Sequence, residues 1–211
     1  MRTQEQVNEI VRLLMEEYPL ADCTLDWNKA YELLFSVRLA AQCTDERVNK
    51  ITPALFARFP TLEAFAEADV AEVEEYVRSC CFYHSKARDI VACANVLLEK
   101  YGGELPHTME ELTALPGVGR KTANLILGDV FKVPGSTVVD THCIRISNLL
   151  GLVDDLKDPV KIEMELRKIL PPEHSSDFCH CIVLHGRAVC IARRPECERC
   201  CVRHLCRHYS G

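Results

Sequence analysis

The sequence lacks several features that would place it in other protein classes. It contains no apolar run that approaches the roughly 20 residues needed to cross a bilayer. Its first residues, Met1–Glu5, are polar and lack the apolar core of a signal peptide. It has no low-complexity segment, no repeat period and no run with the alternating polarity of a strand. We therefore expect a cytoplasmic, helical protein with no membrane partner.

The chain also lacks a strong net charge. Among 211 residues, 48% are hydrophobic and 27% are charged, which are ordinary globular values that exclude wholesale disorder. The net charge of −6 argues against a protein that coats nucleic acid, although it is compatible with a local basic surface. Residues 181–209 predict such a surface, because they carry six arginines against two glutamates.

Helical periodicity dominates, so the predicted fold class is all-α. A capping box over Thr3–Gln6 opens the first helix, and a second capping box over Thr108–Glu111 opens another. The further helical stretches are approximately 29–42, 45–58, 61–67, 70–79, 84–101, 108–114, 119–131, 141–151, 158–170 and 176–189.

Thirteen cysteines are an unusual number, and in a cytosolic protein they are expected to stay reduced. Four of them follow the spacing Cys-x6-Cys-x2-Cys-x5-Cys, namely Cys190, Cys197, Cys200 and Cys206. Four thiolates in so short a segment suit tetrahedral zinc or a four-cysteine iron–sulfur cluster. The single x2 pair favours the cluster, since zinc sites usually have two such pairs. The alternative without a metal is four buried free cysteines.

Two arginines, Arg193 and Arg194, lie in the loop between the first two of these cysteines. A cluster would hold that loop and direct both guanidinium groups toward phosphate oxygens. The alternative is that these arginines only make the surface soluble.

The segment Leu115–Ala123 predicts a tight turn between two helices. Pro116 precedes Gly117-Val118-Gly119, and Arg120 begins a new helix whose N–H groups would attract an anion. This pattern indicates a helix-hairpin-helix element that binds a DNA phosphate. The alternative is an ordinary turn between helices.

Lys121 and Asp140 are the candidate catalytic residues. Lys121 lies in the first turn of a helix, where the helix dipole and adjacent Arg120 disfavour a positive charge. Amine nucleophilic catalysis needs a neutral lysine, whereas the simpler interpretation is a phosphate contact. Asp140 precedes another helix and, taken alone, is expected to be its N-cap.

Several of these segments match the pattern of one known family. Leu115–Ala123, the run Val139–His142 with Arg145, and the spaced cysteines occur in register, as do Ala40–Asp45 and Tyr83–Ala87. Together they resemble the bacterial endonuclease III family, which are DNA glycosylases and AP lyases of the helix-hairpin-helix superfamily.

The resemblance extends over nearly the whole chain and implies a helix-hairpin-helix DNA glycosylase fold with two domains. Residues 22–134 would form a six-helix domain containing the hairpin, and residues 1–21 with 135–211 would form the second domain. The second domain would hold a [4Fe–4S] cluster on the four spaced cysteines. The expected partner is duplex DNA with a damaged pyrimidine or an abasic site, bound by a monomer at the bacterial nucleoid.

The resemblance also implies which residues process the DNA. The enzyme would flip an oxidised pyrimidine out of the duplex, and Lys121 would attack C1′ of its sugar, expel the base and form a Schiff base. β-Elimination would then cleave the strand on the 3′ side. Asp140 would accept the lysine proton or stabilise positive charge on the sugar. Gln42 would enter the gap left by the flipped base, and Phe82 would be the apolar wedge in the opposite strand.

The chain departs from the family pattern near this wedge. Phe82 is bulkier than the expected aliphatic residue, and Cys80 and Cys81 stand before it where other residues are usual. Lys86 either contacts DNA or covers the surface. His142 either orients the loop before it or, as is more common for a histidine, has a structural role.

Two other functions compete with this interpretation. A monofunctional adenine glycosylase of the same superfamily would share the cysteine spacing and Asp140. Such enzymes normally lack a lysine at position 121 and carry a further C-terminal domain, whereas this chain has Lys121 and ends at Gly211. A non-catalytic DNA-binding or redox module would use the hairpin and the cluster alone, and would leave Lys121 and Asp140 unexplained.

Overall fold

The computed structural model describes residues 2–209, and within this range it contains α-helices, short 3-10 turns and no strand. The predicted all-α class is therefore confirmed. In chain order the α-helices are α1 (Gln4–Glu17), α2 (Ala30–Ala40), α3 (Asp45–Arg58), α4 (Leu62–Ala66), α5 (Val70–Val77), α6 (Tyr83–Tyr101), α7 (Met109–Thr113), α8 (Arg120–Asp129), α9 (Thr141–Leu150), α10 (Pro159–Ile169) and α11 (Ser175–Ala188). Across residues 2–209, no helix is both long and apolar enough to span a membrane.

Polar side chains cap the helices where the sequence predicts them. The Thr3 hydroxyl accepts a hydrogen bond from the Gln6 N–H, and the Gln6 side chain accepts one from the Thr3 N–H. Thr108 accepts from the Glu111 N–H in the same way. Because these caps satisfy backbone donors that have no partner inside the helix, they fix where α1 and α7 begin.

Three short 3-10 turns lie outside the predicted helices, at Pro172–His174, Cys197–Arg199 and Arg203–Leu205. A turn of three residues is too short to produce a periodic hydrophobic pattern. The last two turns separate spaced cysteines: the Cys200 N–H donates to the Cys197 carbonyl at 3.1 Å, and the Cys206 N–H donates to the Arg203 carbonyl at 3.1 Å. These turns make the cysteine segment compact without a helix.

The chain divides into two compact units. The terminal unit comprises Met1–Cys23 and Phe131–Gly211, with α1, α9, α10, α11 and the spaced cysteines. The central unit comprises Thr24–Val130, with α2 to α8 and the glycine hairpin.

The core of the central unit forms around Phe65 of α4. The Phe65 ring centroid lies 5.0 Å from that of Phe35 and 5.1 Å from that of Phe59, and all three rings are buried. Such aromatic pairs add about 0.5–1.5 kcal/mol each beyond the area they bury. The long helix α6 packs against α2, α4 and α5, so it is the scaffold on which the loops of this unit are placed.

In the terminal unit, α11 packs against α1 and α9. The helices approach closely at Gly186, where an added Cβ would lie only 2.4 Å from Nδ1 of His142. His142 also lies within 3.4 Å of the Arg145 guanidinium. Since His142 fills the space between two helices, its packing supports the structural role.

Candidate functional site

The turn between α7 and α8 fits its surroundings because Gly117 has no side chain. Its φ is +75°, in the left-handed region, and an added Cβ would lie 2.8 Å from Arg38 Nε and 2.9 Å from Asp89 Oδ2. The backbone of the hairpin therefore rests directly on these two side chains.

Arg38 of α2 and Asp89 of α6 form an ion pair beneath the hairpin. Arg38 donates to Asp89 Oδ2 from Nε at 2.8 Å and from its NH2 nitrogen at 2.6 Å. The side chains are 23% and 29% exposed, so water screens the pair less than it screens a surface pair. A small cavity beside the pair is lined by Leu34, Phe35, Ile90, Cys93, Pro116 and Val118. The ion pair and the residues that line this cavity together hold the hairpin against α2 and α6.

The start of α8 presents backbone donors and a lysine. Gly119 is the N-cap, provides no side-chain acceptor, and has nothing within 4 Å of the position a Cβ would occupy. The first N–H groups of a helix have no acceptor inside it and attract anions. Lys121 is the second residue of α8, is exposed, and has no side-chain partner among residues 2–209. Val118 is half-buried and donates its own N–H to the Leu115 carbonyl at 3.1 Å.

Gln42 and Phe82 lie in two loops of the central unit, between α2 and α3 and before α6. Both have left-handed backbone conformations, with φ of 54° and 58°. Gln42 is exposed, and 67% of Phe82 is exposed although it is a large apolar residue. A left-handed non-glycine residue costs about 1–2 kcal/mol, and such strain concentrates at functional sites. These two features are compatible with the predicted insertion into DNA.

Both sequence-based interpretations of Lys86 are wrong. Lys86 is only 1% exposed, so it neither contacts DNA nor covers the surface. Its ammonium donates to the Leu39 carbonyl at 2.8 Å and to the Ala41 carbonyl at 2.6 Å, and burial lowers its pKa. Its backbone N–H donates to the Phe82 carbonyl at 3.2 Å. Lys86 thus connects the end of α2 to the loop that carries Phe82.

Asp140, in the terminal unit, is the N-cap of α9. Its Oδ1 accepts a hydrogen bond from the Cys143 N–H at 2.7 Å. The cap fixes the orientation of a half-buried carboxylate and leaves its second oxygen available for another partner.

The four spaced cysteines line one pocket of the terminal unit, which is partly open to solvent. The apolar residues Ile146, Leu149 and Leu150 of α9, and Val189 directly after α11, form part of its wall. No group of three or more His, Cys, Asp or Glu residues within residues 2–209 is placed to hold a single metal ion. An all-sulfur set of four cysteines suits an iron–sulfur cluster and also suits tetrahedral zinc.

Two side chains from α9 and α11 approach the sulfurs of this pocket. Arg145 donates to the Cys190 carbonyl at 2.6 Å and lies 3.4 Å from its sulfur. His185 Nε2 lies 3.4 Å from the Cys200 sulfur, while its Nδ1 lies 3.0 Å from the Tyr18 hydroxyl. Burial, followed by the Arg145 charge, lowers the pKa of His185 to about 4, so this ring is neutral at pH 7. Both side chains can donate to thiolates at these positions.

Cys201, unlike the adjacent Cys200, is not among the residues that line this pocket. It interacts electrostatically with Glu17, Tyr18 and Cys181, and burial raises its pKa. These neighbours account for the fifth thiol of the segment, which the spacing pattern does not explain.

Arg193 and Arg194 differ from the arginines that follow them. Arg199, Arg203 and Arg207 each pair with a carboxylate of the terminal unit. Arg193 and Arg194 are exposed and have no side-chain partner within residues 2–209. Their guanidinium groups are therefore available to an external anion.

Comparison with known proteins agrees with this architecture. A family model for HhH-GPD superfamily base excision DNA repair proteins matches residues 35–172. Endonuclease III of Synechocystis sp. is 45% identical over 203 residues, which cover 96% of this chain and 92% of that protein. Endonuclease III of Escherichia coli is 40% identical over 200 residues, covering 95% of this chain and 94% of that protein. The chain belongs to the endonuclease III family.

A solved structure shows the same fold as this member of the endonuclease III family. It is a trapped endonuclease III–DNA covalent intermediate with an estranged adenine, and its TM-score is 0.91 at 38% identity. The match covers 100% of this chain and 98% of that chain. The predicted glycosylase fold is confirmed, and so is the predicted activity: the chain is a bifunctional DNA glycosylase and AP lyase of base excision repair.

Several residues that shape the site carry no signal in the sequence. The partners Arg38 and Asp89 are 51 positions apart, and His185 and Tyr18 are 167 apart. Arg145 belongs to a segment that resembles the family, yet its contact with Cys190 depends on the packing of α9. Local patterns do not reveal such contacts, because they depend on how the helices pack.

The contact at Gly117 predicts a clear difference between the two hairpin glycines. Gly117→Ala should lower the free energy of unfolding by about 2 kcal/mol or more, because a left-handed non-glycine residue costs about 1–2 kcal/mol and the crowded Cβ adds to it. Urea unfolding measures this loss.

The matched control is Gly119→Ala. Gly119 has a φ of −97° and open space around it, so alanine should cost less than about 1 kcal/mol there. Equal losses for the two variants would contradict the close contact beneath Gly117.

Proposed function

We propose that this protein removes oxidised pyrimidines from duplex DNA and cleaves the strand 3′ to the resulting abasic site through a Schiff base on Lys121, acting as a cytoplasmic monomer. The observation that carries the proposal is the exposed Lys121, which has no side-chain partner within residues 2–209 and lies in the first turn of α8, directly after the glycine hairpin. Endonuclease III has been captured on DNA both covalently and non-covalently, which supports DNA as the partner and a nucleophile on the protein.

The first step is binding of the DNA backbone. The N-terminus of α8, with Gly117, Gly119 and Arg120, would bind a phosphate through N–H groups and positive charge. Val118 would contribute through the turn that its N–H closes onto Leu115. Arg193 and Arg194 would bind further phosphates. Because the protein has a net charge of −6, these local contacts must provide the attraction, and we expect affinity to fall steeply with salt.

The second step is extrusion of the damaged base. Gln42 and Phe82 are exposed on loops that already have strained backbones, so they need little rearrangement to enter the duplex. Gln42 would occupy the space of the flipped nucleotide, and Phe82 would stack in the opposite strand. The size of the Phe82 ring would affect which opposite bases are accepted.

The third step is the chemistry at the sugar. The lone pair of the Lys121 amine attacks C1′, the bond from C1′ to the base breaks, and the amine and the opened sugar form a Schiff base. Removal of a C2′ proton then expels the 3′ phosphate by β-elimination. Asp140 would accept the proton that the lysine loses, or stabilise positive charge on the sugar, with the carboxylate oriented by its cap on α9.

In this proposal the central and terminal units correspond to the expected domains of residues 22–134, and of 1–21 with 135–211. Cys190, Cys197, Cys200 and Cys206 would hold a [4Fe–4S] cluster, which cross-links their segment and so holds the loop of Arg193 and Arg194. A thiolate at Cys200 only accepts hydrogen bonds. His185 would therefore carry its proton on Nε2, and Nδ1 would accept from the Tyr18 hydroxyl.

Borohydride trapping on duplex DNA containing thymine glycol tests the role of Lys121. The wild-type protein should form a covalent complex with DNA, and Lys121→Ala should reduce its yield by about 1,000-fold or more while DNA is still bound, since the nucleophile is lost.

Lys100→Ala is the matched control, because Lys100 is an exposed lysine at the far end of α6, and it should trap like the wild type. Base release by wild-type protein without strand cleavage or trapping would contradict the Schiff base and indicate a monofunctional glycosylase.

The cluster is tested by metal analysis of freshly purified protein. We expect about four irons per chain and the broad visible absorbance of an iron–sulfur cluster. Cys197→Ser should lose most of the iron and lower the melting temperature, because one ligand is removed.

Cys201→Ser should keep its iron, since Cys201 is not among the residues that line the pocket although it is adjacent to Cys200. Stoichiometric zinc without iron, or loss of iron in Cys201→Ser alone, would contradict the ligand set.

A further inference from the structure

Three cysteines of the central unit lie beside the residues proposed to enter DNA. Cys43 follows Gln42, and Cys80 and Cys81 precede Phe82. Cys80 is 1% exposed, Cys43 is half-buried and Cys81 is exposed. The glycosylase chemistry uses none of these thiols.

Cys43 and Cys80 are in direct contact although 37 positions separate them in the chain. Their thiols are hydrogen-bonded, and burial together with this contact raises the pKa of Cys80 to about 11. Hydrogen bonds hold each loop at its cysteine: the Cys43 N–H donates to the Ala40 carbonyl at 3.0 Å, and the Cys80 N–H donates to the Val77 carbonyl at 2.9 Å. The two sulfurs therefore belong to backbone segments whose conformation is fixed by hydrogen bonds.

Lys86 places a positive charge beside these sulfurs. It interacts electrostatically with Cys43, Cys80 and Cys81, and two of its three N–H donors are used by the carbonyls of Leu39 and Ala41. A cation at this position stabilises negative charge that develops on a neighbouring sulfur, and a thiolate is the form of cysteine that reacts with oxidants.

We propose that Cys43 and Cys80 form a reversible disulfide when a hydroperoxide oxidises the protein. The sulfur of the half-buried Cys43 attacks one peroxide oxygen, so that its thiol becomes a sulfenic acid and the peroxide leaves as water or an alcohol. The Cys80 sulfur then attacks the Cys43 sulfur, the S–S bond forms and water leaves. Two thiols have lost two electrons, and the hydroperoxide has gained them.

The disulfide would act on the loops of Gln42 and Phe82, a consequence that rests on the function proposed above for these residues. A covalent bond holds two sulfurs closer than a hydrogen bond does, so its formation moves the two loops relative to each other. Both loops have strained backbones, and in the proposed function Gln42 and Phe82 must enter the DNA at the same time. We therefore expect the oxidised protein to bind abasic-site DNA more weakly than the reduced protein.

A second thiol pair in the terminal unit provides an internal comparison. Cys143 and Cys179 are also hydrogen-bonded to each other, but their exposures are 0% and 3%. A peroxide that reaches the half-buried Cys43 has no comparable access to this pair. If contact between two thiols were sufficient, both pairs would form disulfides. If the peroxide must also reach one of the thiols, only Cys43–Cys80 forms a disulfide.

Peptide mapping of the intact holoprotein after brief exposure to hydrogen peroxide tests the linkage. Cleavage after Arg and Lys releases Cys43 in residues 39–47 and Cys80 in residues 79–86. We expect a linked peptide two hydrogens lighter than the sum of its parts, which disappears on reduction. It should be absent in Cys43→Ser and in Cys80→Ser, and present in Cys81→Ser. Failure to detect it while other thiols are oxidised, or its loss in Cys81→Ser, would overturn the proposal.

Binding to duplex DNA with a tetrahydrofuran abasic analogue tests the consequence, with the visible absorbance of the cluster followed in the same samples. The oxidised wild type should bind about 5-fold more weakly or worse and recover with dithiothreitol, while Cys80→Ser should not respond to the peroxide. A Cys43–Cys80 disulfide that leaves the affinity for this DNA unchanged would overturn the proposed effect on the loops. Failure of the reduced wild type to bind at all would instead contradict the proposed function, so the two failures are distinguishable.

Discussion

The close contact between the Gly117 backbone and the Arg38–Asp89 ion pair determines where the hairpin lies in the central unit. The pair links α2 to α6, and the turn rests on it without an intervening side chain. Since α8 begins three residues later, the same contact positions the helix N-terminus and Lys121. The position of the nucleophile thus depends on a glycine in the left-handed region and on Arg38 and Asp89, which lie far apart in the sequence.

Charged side chains also hold other irregular segments in place. Lys86 donates to carbonyls at the end of α2 and so supports the loop of Gln42, and Arg145 donates to the carbonyl of Cys190 at the start of the cysteine segment. Hydrogen bonds from charged donors contribute about 1.5–3 kcal/mol, roughly twice the contribution of neutral ones. These hydrogen bonds thereby hold segments that lack secondary structure. Function needs this, because phosphate binding and base extrusion both use loops.

The sequence predicts local features well and long-range ones poorly. The Thr3 and Thr108 caps, the helices and the hairpin follow from residue patterns within a few positions, and the structure contains them. The burial of Lys86 cannot be predicted from the pattern of α6, because that pattern does not reveal that α2 covers this face. The contact of Cys43 with Cys80 is invisible for the same reason, since it depends on how two loops meet. The DNA-facing assignments came from the family resemblance and remain predictions.

The dependence of the nucleophile on the ion pair is the central claim, and single-turnover cleavage of abasic-site DNA tests it most directly. Arg38→Met removes the support beneath Gly117, while Arg58→Met removes the separate Arg58–Glu72 pair of the same unit, whose N–O distance is also 2.6 Å. With saturating protein, Arg38→Met should cleave about 10- to 100-fold more slowly than the wild type, because small displacements of a reacting group are costly. Arg58→Met should cleave at the wild-type rate. Equal rates for both variants would contradict the claim.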